Sequence, residues 1–438
     1  MDYKQWLLKR YYQWRKYIPA SLLYHADYSQ VLQLAAADHA TIDAVAQARL
    51  REVLRTAARH VPFYRRAVRL TDAELANEPV HEMLARFPYT DKNIVMASPR
   101  DFLDDRRNPR WLVYTTSSGS TGLGIGVWRT KRLADIEKAF FAHEWSRFGF
   151  SFDKSRYLRI GADAGRPAHE PPARAWGNRL LLSPYHINGG HRRAILESLN
   201  RFKPRYVHGY PSAVAALADL LDARELDFEV GAVLLASEPA EPSQLAATAK
   251  LFDCPVSISY GLTERTNLAF ADYARGALGP YRFDPLYACN ENRMSGGLPE
   301  IVGTSLWNDV MPLIRYRTGD YGAIGPDGLC ATLDGREQEF IVDRHGNRIP
   351  GLSINIDNAT WDFVRTYQIR QDRAGAITLA LVPRDCGLSP AQIDFVLGEQ
   401  LQRWGEYFDI SVRVVQDLER TAAGKHRFVV SSLLTFRH

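Results

Sequence analysis

Apolar residues recur at helical spacing through residues 41–70, where Ala, Val and Leu lie three and four apart up to Val61-Pro62. This spacing predicts a helix that the proline ends. The same period returns over 131–148, 211–223, 241–252 and 390–404. Between these helices lie short apolar runs that read as strands: 112–116 (LVYTT), Tyr206-Val207, 231–236 (GAVLLA) and 255–260 (PVSISY). The alternation of strand and helix from Tyr206 to Tyr260 predicts a largely parallel sheet covered by helices. Ligands in such sheets sit beyond the carboxyl ends of the strands, so loops beginning at His208, Ser237 and Gly261 are expected to face one crevice. Residues 161–178 are rich in Pro, Gly and Ala and predict a surface loop.

The pattern changes after about residue 334. A hairpin is expected over 339–350 and strands over 361–370, 376–382 and 411–415. The chain therefore reads as α/β, with a large N-terminal domain (1–334) and a small α+β C-terminal domain (335–438).

Composition narrows the function. Hydrophobic residues are 46% of the chain and the net charge is only +5, from 55 basic and 50 acidic side chains. Nucleic acid is not an expected partner, because tracking phosphates needs clustered cations. Cys254, Cys289, Cys330 and Cys386 are scattered and the histidines form no H-E-x-x-H pattern, which argues against a disulfide framework or a zinc site. No apolar run reaches the roughly eighteen residues that span a bilayer, and the N-terminus has no secretory apolar stretch, so the cytoplasm is the expected compartment. The N-terminal segment is basic and aromatic, with Trp6, Leu7, Lys9, Arg10, Trp14, Arg15 and Lys16. It reads as a helix packed on its own domain or as one resting on a membrane surface or a partner.

Four stretches carry candidate chemistry. Thr115-Thr116 lead into Ser117, Ser118, Gly119, Ser120, Thr121 and Gly122, where glycines admit close approach of an anion and hydroxyls and N–H groups surround it. No Gly-Lys-Ser/Thr follows, so this is not a P-loop. Tyr260-Gly261-Leu262-Thr263-Glu264 follows a strand and offers a ring for a base, a hydroxyl for phosphate and a carboxylate for Mg2+. Leu313 to Asp320 (LIRYRTGD), followed by Gly335-Arg336, offers a carboxylate and a guanidinium suited to ribose hydroxyls. Thr421 to Lys425 (TAAGK) ends in a lysine that a loop can carry to a developing negative charge. Each stretch alone is also an ordinary turn, strand end or solvated tail.

Their order decides between these readings. Together with HVPFYRR (60–66), FPYTDK (87–92), VHGYPSAVAAL (207–217), LLASEP (234–239), GREQEFIVDRHGNRIP (335–350) and AAGKHR (422–427), they resemble the adenylate-forming superfamily of acyl-CoA synthetases, adenylation domains and luciferases. Within it the chain is most similar to phenylacetate–CoA ligases and their CapK-like relatives. The resemblance runs through the whole chain. It implies a large adenylation domain and a mobile C-terminal domain. Ser117 to Gly122 then hold the ATP phosphates, Ser237, Glu238 and Pro239 border the adenine, and Tyr260 stacks on it. Thr263 contacts phosphate and Glu264 binds Mg2+. Gly261 completes the nucleotide loop, Asp320 and Arg336 hold the ribose, and Lys425 bridges acyl carboxylate and nucleotide. The hinge falls at Gln338, where relatives commonly carry Asp. A second departure lies in the phosphate loop, where Leu123 stands in place of a common lysine. Tyr185, His186, His208 and Tyr210 are acyl-pocket candidates by position.

The activity implied is ATP-dependent formation of acyl-AMP from a carboxylic acid, aromatic acids being the family default, and then acyl transfer. CoA is the expected acceptor thiol. A carrier protein thiol and an amine are the other acceptors, the latter making the chain an amide-forming ligase. A scaffold or nucleotide-binding protein without catalysis is the reading from another class, and Glu264, Asp320, Arg336 and Lys425 argue against it.

Overall fold

The computed structural model describes residues 10–116, 125–161, 169–237, 240, 242–295, 298–333, 340–350, 354, 361, 363–383, 387–416, 418, 429–431 and 433. The first predicted helix runs from His39 to His60, capped by the Asp38 side chain on the Thr41 N–H, and Pro62 opens a separate short helix to Ala67. A two-stranded ribbon follows, β1 (Val113–Thr116) against β2 (Gly126–Arg129).

A ten-stranded sheet forms the centre. Its first members are β3 (Tyr157–Ile160), β4 (Ala173–Trp176), β5 (Arg179–Leu182), β6 (Tyr206–Gly209), β7 (Ala232–Leu235) and β8 (Val256–Gly261). Strands β5, β3, β6, β7 and β8 lie side by side in that order and run parallel. The helices Arg192–Phe202, Pro211–Leu220 and Pro242–Phe252 make the crossovers. Strands β6 and β7 are buried at every position, as expected of a parallel sheet covered on both faces. The loop expected over 161–178 is corrected in part: Ala173–Trp176 is an edge strand paired antiparallel to β5. Gly177, at φ +58, makes the tight reversal between them and lies against the Tyr12 backbone.

Beyond β8 the chain turns antiparallel through β9 (Leu268–Ala274), β10 (Ala277–Leu278) and β11 (Tyr281–Phe283). A separate meander of β12 (Ala288–Ser295), β13 (Leu298–Ser305) and β14 (Tyr316–Tyr321) follows, and β15 (Leu329–Cys330) returns to the large sheet. The expected hairpin is present as β16 (Phe340–Val342) and β17 (Arg348–Pro350). The remaining strands are β18 (Val364–Arg373), β19 (Ala376–Pro383), β20 (Asp409–Val414) and β21 (Val429–Ser431), in the order β20-β19-β18-β21, with the Pro390–Trp404 helix between β19 and β20. Their core, around Trp361, Tyr367, Ile369, Leu379 and Phe408, is built from residues 341–429 alone.

Of the N-terminal segment, Trp6, Leu7 and Lys9 lie outside the described residues. Arg15 is buried, paired with Asp153 and Tyr24, and Tyr12 stacks on Trp176. The described part thus packs on its own domain, while Trp14 and Tyr17 stay exposed. Among the described residues no helix is long and apolar enough to cross a membrane.

Candidate functional site

The carboxyl ends of β5, β3, β6, β7 and β8 emerge side by side, spread over about 19 Å at ordinary strand spacing. His186 follows β5, Tyr210 follows β6, Ser237 follows β7, and Tyr260-Gly261 close β8. The sheet therefore brings these sequence candidates to one edge. Ser237 holds φ at +74, a left-handed conformation that costs a non-glycine residue about 1–3 kcal/mol and clusters at functional sites.

The segment from Tyr260 to Glu264 does not lead into a helix. It ends β8 and turns back into β9, with Gly261 opposite Leu268. Arg265, at φ +61, reverses the chain just after Glu264, its N–H donating to the Leu262 carbonyl at 3.1 Å. The Arg265 guanidinium pairs with Glu137 on the Lys131–Ser146 helix. The far side of the turn rests on the β12–β14 meander. The Asn267 side-chain amide donates to Asn290 Oδ1 at 2.8 Å, and a Cβ added at Gly303 of β13 meets Asn267 Cγ at 2.6 Å. Gly303 is thus glycine because the turn backbone occupies the space of a side chain.

Two side-chain bonds then join the turn to β14. The Tyr316 hydroxyl donates to Glu264 Oε1 at 2.8 Å, and the Tyr260 hydroxyl donates to Asp320 Oδ2 at 2.9 Å. Tyr316 is the cross-strand neighbour of Gly303, which explains its reach. Asp320 is aimed by an irregularity in β14: Val302 pairs with Arg317 but Glu300 with Tyr321, so extra residues bulge at Thr318-Gly319-Asp320. Gly319 takes φ +74 there, and Thr318 Oγ1 donates to the Ile301 carbonyl while accepting the Asp320 N–H. Both carboxylates are nearly buried, Glu264 at 8% and Asp320 at 7% exposure.

His208 is a core residue. Its ring meets Trp145 edge-on, and Nδ1 lies 2.8 Å from the Leu234 carbonyl, which makes Nδ1 the protonated nitrogen. Burial first, and the Arg159 charge second, push its titration well below the usual range, and the Leu234 carbonyl only partly opposes them. His186 is fully buried beside the His191 ring at 4.8 Å. The Tyr185 side chain, Ser117 to Gly122, Glu238, Pro239, Arg336, Gln338 and Lys425 lie outside the described residues. No group of three or more His, Cys, Asp or Glu side chains is placed to hold a metal among the described residues. A single buried carboxylate such as Glu264 fits Mg2+ that takes its other ligands from phosphates and water.

Gly303, Arg265 and the pairing role of Tyr316 escaped the sequence reading. A glycine inside a strand pattern is a signal of close backbone approach, but the approaching residue is far away in sequence.

No family model matches the chain. The chain is 22% identical over 272 residues to the CapK protein of Staphylococcus aureus, covering 58% of this chain and 59% of that one. It is 23% identical over 399 residues to the phenylacetate-coenzyme A ligase of Pseudomonas putida, covering 86% and 90%. Among solved structures, 2-hydroxyisobutyryl-CoA ligase in complex with 2-HIB-AMP and CoA superposes with a TM-score of 0.50 at 16% identity over 90% of both chains. The chain is thus similar in sequence to CapK and to a phenylacetate–CoA ligase, and it shares the fold of an acyl-CoA ligase. The described candidates form two groups. Tyr260 bonds Asp320 and Glu264 bonds Tyr316, so both ends of the turn are tied to β14, whereas His186, His208 and Tyr210 sit further along the large sheet.

Proposed function

We propose that the chain activates a carboxylic acid with ATP, releasing pyrophosphate, and passes the acyl group from acyl-AMP to a thiol such as CoA. The observation that carries this reading is the pair of tyrosine–carboxylate bonds that unites two sequence motifs at the carboxyl edge of a parallel sheet.

In this proposal the Tyr260 ring, steadied by its bond to Asp320, offers a face to the adenine while Asp320 accepts from ribose hydroxyls with Arg336. Ser237, Glu238 and Pro239 border the base, and Ser117 to Gly122 with Thr263 line the phosphates. Glu264, held by Tyr316, would carry Mg2+, which neutralises phosphate charge when bound. A carboxylate oxygen attacks the α-phosphorus and pyrophosphate leaves. Negative charge gathers in that step, and Lys425 supplies a cation to it. The thiolate then attacks the acyl carbon and AMP departs with the oxygen it received. Residues 1–334 form the adenylation domain, residues 335–438 the mobile domain, and Gln338 the pivot between the two half-reactions.

The test is a panel of carboxylic acids, aromatic ones included, scored for acid-dependent pyrophosphate release, with mass spectrometry of the nucleotide product. AMP and an acyl-AMP intermediate support the proposal. ATP binding without turnover on any acid, or release of ADP, would count against it.

A further inference from the structure

Arg159 sits on β3 between Leu158 and Ile160, both fully buried, and lies in register with Leu181 of β5 and His208 of β6. Among the described residues its guanidinium has no hydrogen-bond or ion-pair partner, while its backbone takes part in the sheet. The ionisable groups that act on it are the phenols of Tyr210 and Tyr157 and a second cation, Arg179; no carboxylate is among them. His208 beside it is held neutral and offers no compensating charge. Arg159 is half-buried, and a partly desolvated guanidinium without an anion is a ready partner for a carboxylate that takes two of its N–H groups.

The surroundings resemble a binding wall. Gly161 follows β3 with φ +108, and a Cβ there meets the Tyr210 ring at 2.8 Å from Cζ. Tyr210 therefore lies across the strand end next to Arg159. Distance separates this corner from the candidate nucleotide site. Three strand spacings, about 14 Å, lie between β3 and β8, which carries Tyr260. In this reading Arg159, three strands from Tyr260, faces the far end of the acid and not the carboxylate that attacks the α-phosphorus.

We propose that Arg159 is a specificity-determining residue that binds a second carboxylate at the far end of the acid, so that the substrate class is dicarboxylic acids with a long spacer. The assignment rests on the adenylation proposed above. It is tested with matched pairs of long-chain or aromatic diacids and their monomethyl esters, on the full chain and on its Arg159→Gln and Arg159→Lys variants. Pyrophosphate release is measured in parallel with calorimetric binding of the acids in the absence of ATP.

The parent is expected to favour a diacid over its ester by roughly tenfold or more, in line with a hydrogen bond to a charged group. Arg159→Gln should lose that preference through KM for the diacid rather than kcat, and Arg159→Lys should restore part of it. Equal use of diacid and ester by the parent, or a preference that survives in Arg159→Gln, overturns the proposal. Diacid binding that depends on Arg159, with no pyrophosphate release on any acid, would keep the anion site and reject adenylation. Absence of both Arg159-dependent binding and preference rejects the anion site alone.

Discussion

Gly303→Ala is the most informative single change, because it adds one methyl group where the turn carrying Glu264 presses on β13. The new Cβ stands 2.6 Å from Asn267 Cγ and closer still to the Thr266 carbonyl oxygen. An ordinary carbon–carbon contact is about 3.5–4.0 Å, so the turn must retreat by about 1 Å. Thr266 and Asn267 are fully buried, and Asn267 is tied to Asn290, so neither yields cheaply. Overpacking of this kind costs about 1–3 kcal/mol. The retreat also draws Glu264 away from Tyr316, and a displacement of about 1 Å in a reacting constellation lowers the rate roughly a hundredfold. Denaturant midpoints and acid-dependent pyrophosphate release, measured on the same preparation, report the two effects. Gly303→Ala as stable and as active as the parent would refute the close approach. Lost stability with full activity would place this turn away from the chemistry.

Asp320→Ala removes the acceptor of the Tyr260 hydroxyl and the proposed ribose contact; KM for ATP should rise about tenfold while KM for the acid moves less, and the reverse would misplace β14. Lys425→Ala should lower pyrophosphate release roughly a hundredfold, a loss of about 3 kcal/mol, with ATP binding retained, and near-normal release would remove this lysine from the mechanism. Burial pushes the Asp284 carboxyl up to about 6, against the pull of the Tyr287 and Leu286 N–H groups. Between about pH 4 and 6 the folded chain holds this proton and the unfolded chain has lost it, so stability falls as pH rises through that window. Asp284→Asn should therefore flatten the slope of stability against pH over that range, and an unchanged slope would contradict the assignment.

The parallel centre of the sheet was legible because Tyr206-Val207 in β6, the apolar run of β7 and the Val256-Ile258-Tyr260 alternation of β8 lie between helices of clear period. The neighbouring strands were not. Tyr157–Ile160, Ala173–Trp176 and Arg179–Leu182 are only four residues long; Arg159 and Arg174 interrupt the first two, and the third offers just three leucines after Arg179, too short a run to mark a strand. The motifs of the candidate site were visible by their order. What joins them was not: Tyr260 and Asp320 lie sixty positions apart, and only the folded meander brings them to 2.9 Å. Arg159 gave no signal either, since an arginine in a sequence shows nothing of whether an acid stands beside it.

The central claim is that a carboxylate oxygen of the acid attacks the α-phosphorus of ATP. The direct measurement uses the acid that scores best in the panel, labelled with oxygen-18 in its carboxylate, with CoA present and the nucleotide product read by mass spectrometry. Adenylation predicts AMP carrying one heavy oxygen, because the bond that breaks in acyl transfer lies between the acyl carbon and that oxygen. Unlabelled AMP, or labelled phosphate with ADP, would contradict it.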